Sequence, residues 1–204
     1  MLRHAIALKP PASSQDLLYD AFHDRELVAI NGRKFVINPL TEQIPATSAE
    51  LLLEAAQSVC SAGYFKRGCK VVGEEDKGAV LVAAVSLISG LPFGLARWVP
   101  SGLTGQISVD FDCEYHSGKI YLNGVERSDK VIIVDDLIST GGTMIALVKA
   151  IRTAGAEIQD IICVAEKIEY GGVERVRRET GCEVKCLVRL SIAGKRSKVV
   201  EINA

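Results

Sequence analysis

The stretch VIIVDDLISTGGT, residues 131–143, constrains this chain more than any other. Val131 to Val134 is a continuous apolar run that reads as a strand buried on both faces, the habit of parallel sheets. Two acids, Asp135 and Asp136, follow it. The small turn Ser139-Thr140-Gly141-Gly142-Thr143 then opens a helix, TMIALVKAIRTAG, that stops at Gly155. A strand feeding a helix through a tight turn is half of a parallel crossover unit, so other segments must supply the neighbouring strands.

Those segments are present. KVVG leads into GAVLVAAVSLISG, which ends at Gly90, and PFGLARW follows; beyond the central unit come IICVAEK, a further helix and EVKCLVRL. Apolar strands alternating with helices of about ten to fifteen residues predict an α/β fold, doubly wound around a mostly parallel sheet. The 204 residues suit a single domain. Residues 1–45 read as an accessory layer, with a short helix near Ser14 to His23 and a hairpin turned at Asn31-Gly32, where both turn positions need positive φ. Thr47 and Glu50 have capping-box spacing ahead of a helix that Gly63 stops. Residues 99–119 break the rhythm. They are rich in glycine and polar residues, as a lid over an active site would be.

Net charge is -1, so the chain as a whole has no attraction for nucleic acid, and any binding of phosphate must be local. The six cysteines contain no CxxC pair, which argues against zinc and fits reduced thiols in the cytoplasm. No apolar stretch is long enough to span a membrane.

Outside the carboxyl ends of a doubly wound sheet lies the ligand crevice, and the turn after Asp136 falls there. Glycines at 141 and 142 let backbone N–H groups approach an anion, the hydroxyls of Ser139, Thr140 and Thr143 add donors, and the following helix presents its positive end. Asp135 and Asp136 would oppose a phosphate but suit sugar hydroxyls, or a magnesium ion held largely through water and substrate oxygens. The pair and the turn together call for a sugar phosphate. Neither a G-x-x-x-x-G-K-[ST] loop nor a G-x-G-x-x-G turn is present.

On these residues the chain resembles the type I phosphoribosyltransferases, whose phosphoribosyl pyrophosphate (PRPP) signature is four apolar residues, two acids and a T-G-G-T loop. The resemblance runs from about Phe35 to Leu190. It implies that Asp135 and Asp136 face the ribose hydroxyls, that 139–143 wraps the 5-phosphate, and that Mg2+ accompanies the substrate, touching the two acids through water. KVVGEEDKGAVLVAA is similar to the family's pyrophosphate loop, with an unusual peptide geometry and with Lys77 and Gly78 at the diphosphate; Glu74, Glu75 and Asp76 are a departure. Arg97 resembles the family arginine that approaches pyrophosphate, although Trp98, Val99 and Pro100 follow it instead of lysines. Glu114-Tyr115 with Gly118-Lys119 is similar to the E-Y-G-K pattern of the adenine enzymes, which makes Glu114, Tyr115 and Asp135 the catalytic candidates.

The implied activity is transfer of the 5-phosphoribosyl group from PRPP to a purine, with adenine slightly favoured over hypoxanthine and guanine. Phe35, Ile168 and Tyr170 are the expected walls of the base pocket under a small hood formed by the N-terminal hairpin and the C-terminal segment after Lys167, and the family's habit implies a homodimer. FVINPLTEQIP and GKIYLNGVERSDKVIIVDD look like the archaeal hypoxanthine/guanine branch instead. Three rivals are a non-catalytic PRPP or nucleotide sensor of the same fold, an orotate enzyme, and a nonspecific sugar-phosphate binder. Against the first stand the retained Glu114-Tyr115 pair and the absence of an added helix-turn-helix or basic patch.

Overall fold

The computed structural model describes residues 16–112 and 117–203. Eight strands form one sheet, in the order β10-β9-β8-β7-β3-β4-β6-β5. They are β3 (Cys69–Glu74), β4 (Phe93–Arg97), β5 (Ile107–Asp112), β6 (Ser117–Leu122), β7 (Lys130–Ile138), β8 (Glu157–Lys167), β9 (Lys185–Ser191) and β10 (Lys198–Ile202). The five central strands, β9, β8, β7, β3 and β4, pair in parallel, whereas β10 and the β5–β6 hairpin add antiparallel edges. A separate hairpin, β1 (Leu27–Ile30) with β2 (Arg33–Val36), turns at Asn31-Gly32 with φ of 51° and 79°, the left-handed pair that a two-residue turn requires.

Strand β7 shows why the sheet is covered twice. Ile132 and Val134 enter one apolar cluster with α2 (Ala49–Ala62) and α3 (Gly78–Ser89), while Val131 and Ile133 enter another with α4 (Gly142–Thr153). All four are fully buried. At about 1.5–3 kcal/mol for each buried aliphatic side chain, this alternation makes β7 the anchor of both layers. Gly73 in β3 leaves room for that packing, because a Cβ there would lie 2.5 Å from Val82 and 2.7 Å from the Val134 carbonyl oxygen.

Three local expectations change. The cap of α2 is Ser48, whose hydroxyl accepts from the Leu51 N–H at 3.1 Å, and Thr47 instead donates to the Pro39 carbonyl. Strand β7 runs through both acids to Ile138 instead of ending at Val134, since its ladder with β8 continues to Ile138 opposite Glu166. Among the described residues of the stretch 99–119, those before Ile107 are loop; the alternation Ile107, Val109, Phe111 builds β5, and Phe111 packs edge-on against Trp98 with ring centroids 4.7 Å apart. Of the expected first helix, residues from Asp16 onward form α1 (Asp16–Phe22).

The chain places β4 on one side of β3 and then crosses to lay β7 on the other. Strand order reverses at the β3/β7 boundary, and the crevice opens beyond the carboxyl ends of those two strands.

Candidate active site

One cleft at that boundary is lined by Phe35, Thr41 and Glu42 from the N-terminal segment, Glu74 at the end of β3 and Lys77 after it, Asp135 through Met144 after the core of β7, and Lys167 at the end of β8. It contains both acids and all five residues of the 139–143 turn.

The turn is built by close backbone approach. Gly141 has φ 79° and ψ 1°, and its carbonyl accepts from Ile145 N–H to start α4. Behind it lies the short α5 (Gly172–Thr180), preceded by a 3-10 turn (Ile168–Tyr170). Gly172 presses against the 139–143 turn so closely that a Cβ would stand 2.1 Å from the Ser139 carbonyl oxygen, and Arg175 donates to the Thr140 carbonyl at 3.2 Å. Residues of α5 thus brace the turn from outside the cleft. The Thr140 hydroxyl is buried without a hydrogen-bond partner, as a donor reserved for a ligand would be.

The acids are held in the dry end of the cleft. Asp135 is 6 % exposed and Asp136 5 %. Asp135 accepts from the Asp136 N–H at 3.0 Å, and only a glycine at 78 leaves space for its carboxyl, 2.7 Å from where a Cβ would project. Burial, with the charges of Asp136 and Glu74 adding to it, holds the Asp135 carboxyl well above its ordinary range. Burial and the Glu74 charge push Asp136 up to about 7, with Lys77 pulling the other way. Burial raises Glu74 as well. One oxygen each of Asp136 and Glu74 is buried without a partner. Three crowded acids with open acceptor positions fit hydroxyl donors and a hydrated magnesium ion brought by a substrate. Among the described residues, no group of three or more His, Cys, Asp or Glu side chains is arranged to hold a metal alone.

The loop after β3 behaves differently from its basic neighbours' expected role. Lys77 pairs with Glu42 at 2.6 Å and lies 5.6 Å from the centre of the Phe35 ring. Glu75 accepts from the Trp98 N–H at 2.6 Å and from Arg97 Nε at 2.9 Å, so Arg97 sits outside the cleft lining. Among the described residues the cis peptide is Ile44-Pro45, and none lies in this loop. Of the expected base walls, Phe35 lines the cleft; Ile168 lines a second cleft with Glu166, Val173 and Leu187; Tyr170 accepts the Lys34 N–H at 3.0 Å and so ties the hairpin to the segment after β8. Glu114 and Tyr115 lie outside the described residues.

Lys167 escaped the sequence reading, as did Glu42 and the bracing pair Gly172 and Arg175. Lys167 is 3 % exposed, donates to the Lys34 carbonyl at 2.9 Å and lies 5.3 Å from the Phe35 ring centre. A lysine at the end of an apolar strand was the available signal, since a buried ammonium needs a reason.

The family model of the phosphoribosyl transferase domain matches residues 61–179, which span β3 to α5 and every residue of the two loops. The hypoxanthine/guanine phosphoribosyltransferase of Methanocaldococcus jannaschii is 41 % identical over 158 residues, 78 % of this chain and 85 % of its own. The enzyme of the same description from Methanotorris igneus is 41 % identical over 167 residues, covering 82 % and 89 %. In fold, the chain superimposes on the adenine phosphoribosyltransferase of Giardia lamblia, solved with 9-deazaadenine, at a TM-score of 0.74 with 22 % identity, covering 88 % of this chain and 98 % of that one. The chain belongs to the phosphoribosyltransferase family. Within it, the mostly parallel sheet with helices on both faces is the type I fold.

Proposed function

We propose that the protein transfers the 5-phosphoribosyl group of PRPP to a 6-oxopurine, hypoxanthine or guanine, releasing pyrophosphate and a nucleoside monophosphate in purine salvage. The observation that carries the reading is the shared cleft of the 139–143 turn and the Asp135-Asp136 pair, with the Lys77 loop on the adjacent strand. The turn takes the 5-phosphate, the two acids accept from the ribose hydroxyls, and Lys77 and Gly78 face the diphosphate. Magnesium, bound through substrate oxygens and water, would neutralise charge on the leaving diphosphate. Carboxylates beside the sugar also stabilise the positive charge that grows there as the glycosidic bond breaks, so no covalent nucleophile is needed. Glu114 is the candidate to manage the purine proton, with residues 99–119 as the cover that excludes water.

The 6-oxo preference rests on Lys167. An ammonium donates and never accepts, so beside Phe35 it suits a carbonyl on the purine and disfavours an amino group. The names of the archaeal relatives at 41 % identity point the same way, whereas the E-Y pattern leans to adenine. We place the protein in the cytoplasm, which suits its free thiols at Cys60, Cys69, Cys163, Cys182 and Cys186; no helix among the described residues is long and apolar enough to cross a membrane. The homodimer expected of the family has a candidate surface in exposed Val80, Leu87 and Ile88 of α3 with Phe93 of β4.

A panel of adenine, hypoxanthine, guanine, xanthine and orotate, each with PRPP and magnesium, tests this reading. Hypoxanthine and guanine should turn over and orotate should not. Tight PRPP binding without turnover of any base would identify a sensor instead.

A further inference from the structure

Both cations assigned to the diphosphate are held by acids of the same chain. Lys77 pairs with Glu42 at 2.6 Å and Arg97 with Glu75 at 2.9 Å. Glu42 is the more informative of the two, because it lines the cleft and comes from a different part of the chain. It is also presented rigidly. Asn38, fully buried, accepts from the Leu40 and Thr41 N–H groups at 2.9 Å and donates to the Val36 carbonyl and the Thr41 hydroxyl, which fixes the turn that ends at Glu42. The pair is partly dry, with side chains 27 % and 20 % exposed, so its attraction is less screened than on an open surface.

A carboxylate seated on the lysine meant for an anion is a competitor for that anion. We propose that Glu42 is a stand-in for the diphosphate: it holds Lys77 in the unliganded site, yields it when PRPP arrives, and takes it back as pyrophosphate leaves. The proposal rests on the reading of Lys77 as a diphosphate contact. Displacing a carboxylate at 2.6 Å requires an anion of higher charge at the same place, so the device favours ligands that carry the diphosphate. A sugar monophosphate, seated on the 139–143 turn, offers nothing to displace it. Glu42 therefore weakens pyrophosphate and PRPP alike, leaves ribose 5-phosphate untouched, and makes product easier to release.

Calorimetric titration of the full chain with magnesium pyrophosphate and, separately, with ribose 5-phosphate tests this on Glu42→Gln, Glu42→Asp, Lys77→Met and the Glu42→Gln/Lys77→Met double variant, with thermal unfolding to show that each is folded. Glu42→Gln should bind pyrophosphate roughly three- to fivefold tighter, the range of a partly exposed ion pair released. Glu42→Asp should stay near wild type, and ribose 5-phosphate should bind Glu42→Gln as it binds wild type. Lys77→Met should weaken pyrophosphate, and adding Glu42→Gln to it should change nothing further. An unchanged or weaker pyrophosphate affinity in Glu42→Gln overturns the proposal. So does a gain that persists without Lys77 or extends to ribose 5-phosphate, since either is a general effect of removing charge. If Lys77→Met alone binds pyrophosphate normally, the diphosphate reading of that loop falls and the proposal falls with it, whereas a failure confined to the Glu42 variants leaves the loop assignment standing.

Discussion

Gly172 lies against the Ser139 carbonyl oxygen so closely that a methyl group would stand 2.1 Å from it. The contact joins the start of α5 to the phosphate turn, two segments thirty residues apart that share no ligand-facing side chain. Replacing Gly172 by alanine forces one of them to move. Overpacking of this kind costs about 1–3 kcal/mol, and the expected result is a lower unfolding temperature together with a KM for PRPP raised roughly tenfold or more. Steady-state kinetics beside a thermal melt measures both; a stability loss with KM unchanged would mean that α5 supports the fold and not the turn.

The acid pair should act oppositely on stability and on binding. Asp135→Asn with Asp136→Asn removes two buried carboxylates that crowd Glu74, so the unliganded protein should melt higher. The same change removes acceptors for the ribose hydroxyls, worth about 1.5–3 kcal/mol each when ionised in the complex, so PRPP affinity should fall by roughly two to four orders of magnitude. Calorimetric titration against a thermal melt separates the two effects. A nonspecific sugar-phosphate site would keep its affinity.

Asp136 also sets a pH dependence. Its carboxyl titrates near about 7 in the folded protein against an ordinary value of 3.8, so between those values the folded chain keeps a proton that the unfolded chain has lost. The contribution of Asp136 to stability therefore decreases as pH rises from 3.8 to about 7 and is lost above it, and Asp135 and Glu74, raised by the same burial, act in the same direction. Denaturant melts of the ligand-free protein across that range should show the decline, and Asp136→Asn should make it shallower.

Lys167 should decide the base. With glutamine there, turnover of hypoxanthine and guanine should drop by one to two orders of magnitude, roughly the worth of one charged hydrogen bond, and adenine should gain relative to them. Comparison of kcat/KM across the purine panel in wild type and variant reads this directly. An equal loss on every base would mean that Lys167 supports the hairpin through the Lys34 carbonyl and does not touch the purine.

The sequence made the sheet legible because its central strands are apolar on consecutive residues, a pattern that only two-sided burial explains, and because glycines at 63, 90 and 155 mark helix ends. The turn 139–143 and its place before α4 were legible for the same reason of local chemistry. What could not be read was long-range contact. Glu42 and Lys77 are 35 positions apart, Arg175 and Thr140 also 35, and Lys34 and Lys167 133. Glu42, Arg175 and Lys167 each look like an ordinary surface charge until the fold brings the partner up. The β5–β6 hairpin was missed as regular structure because its glycine-rich approach, residues 102–105, masks the alternation that follows.

The two loops to which the proposal assigns opposite ends of PRPP leave from β3 and β7, which are direct neighbours in the ladder. The strands that carry them are therefore one strand spacing apart, about 4.8 Å, a ruler fixed by backbone geometry and independent of any side chain. Everything between them in the chain, β4 and the whole β5–β6 excursion, can lengthen, shorten or be exchanged without altering that measure. A scaffold of this kind can trade the segments inserted between these two strands for others while the spacing of the strands beneath the cleft stays constant.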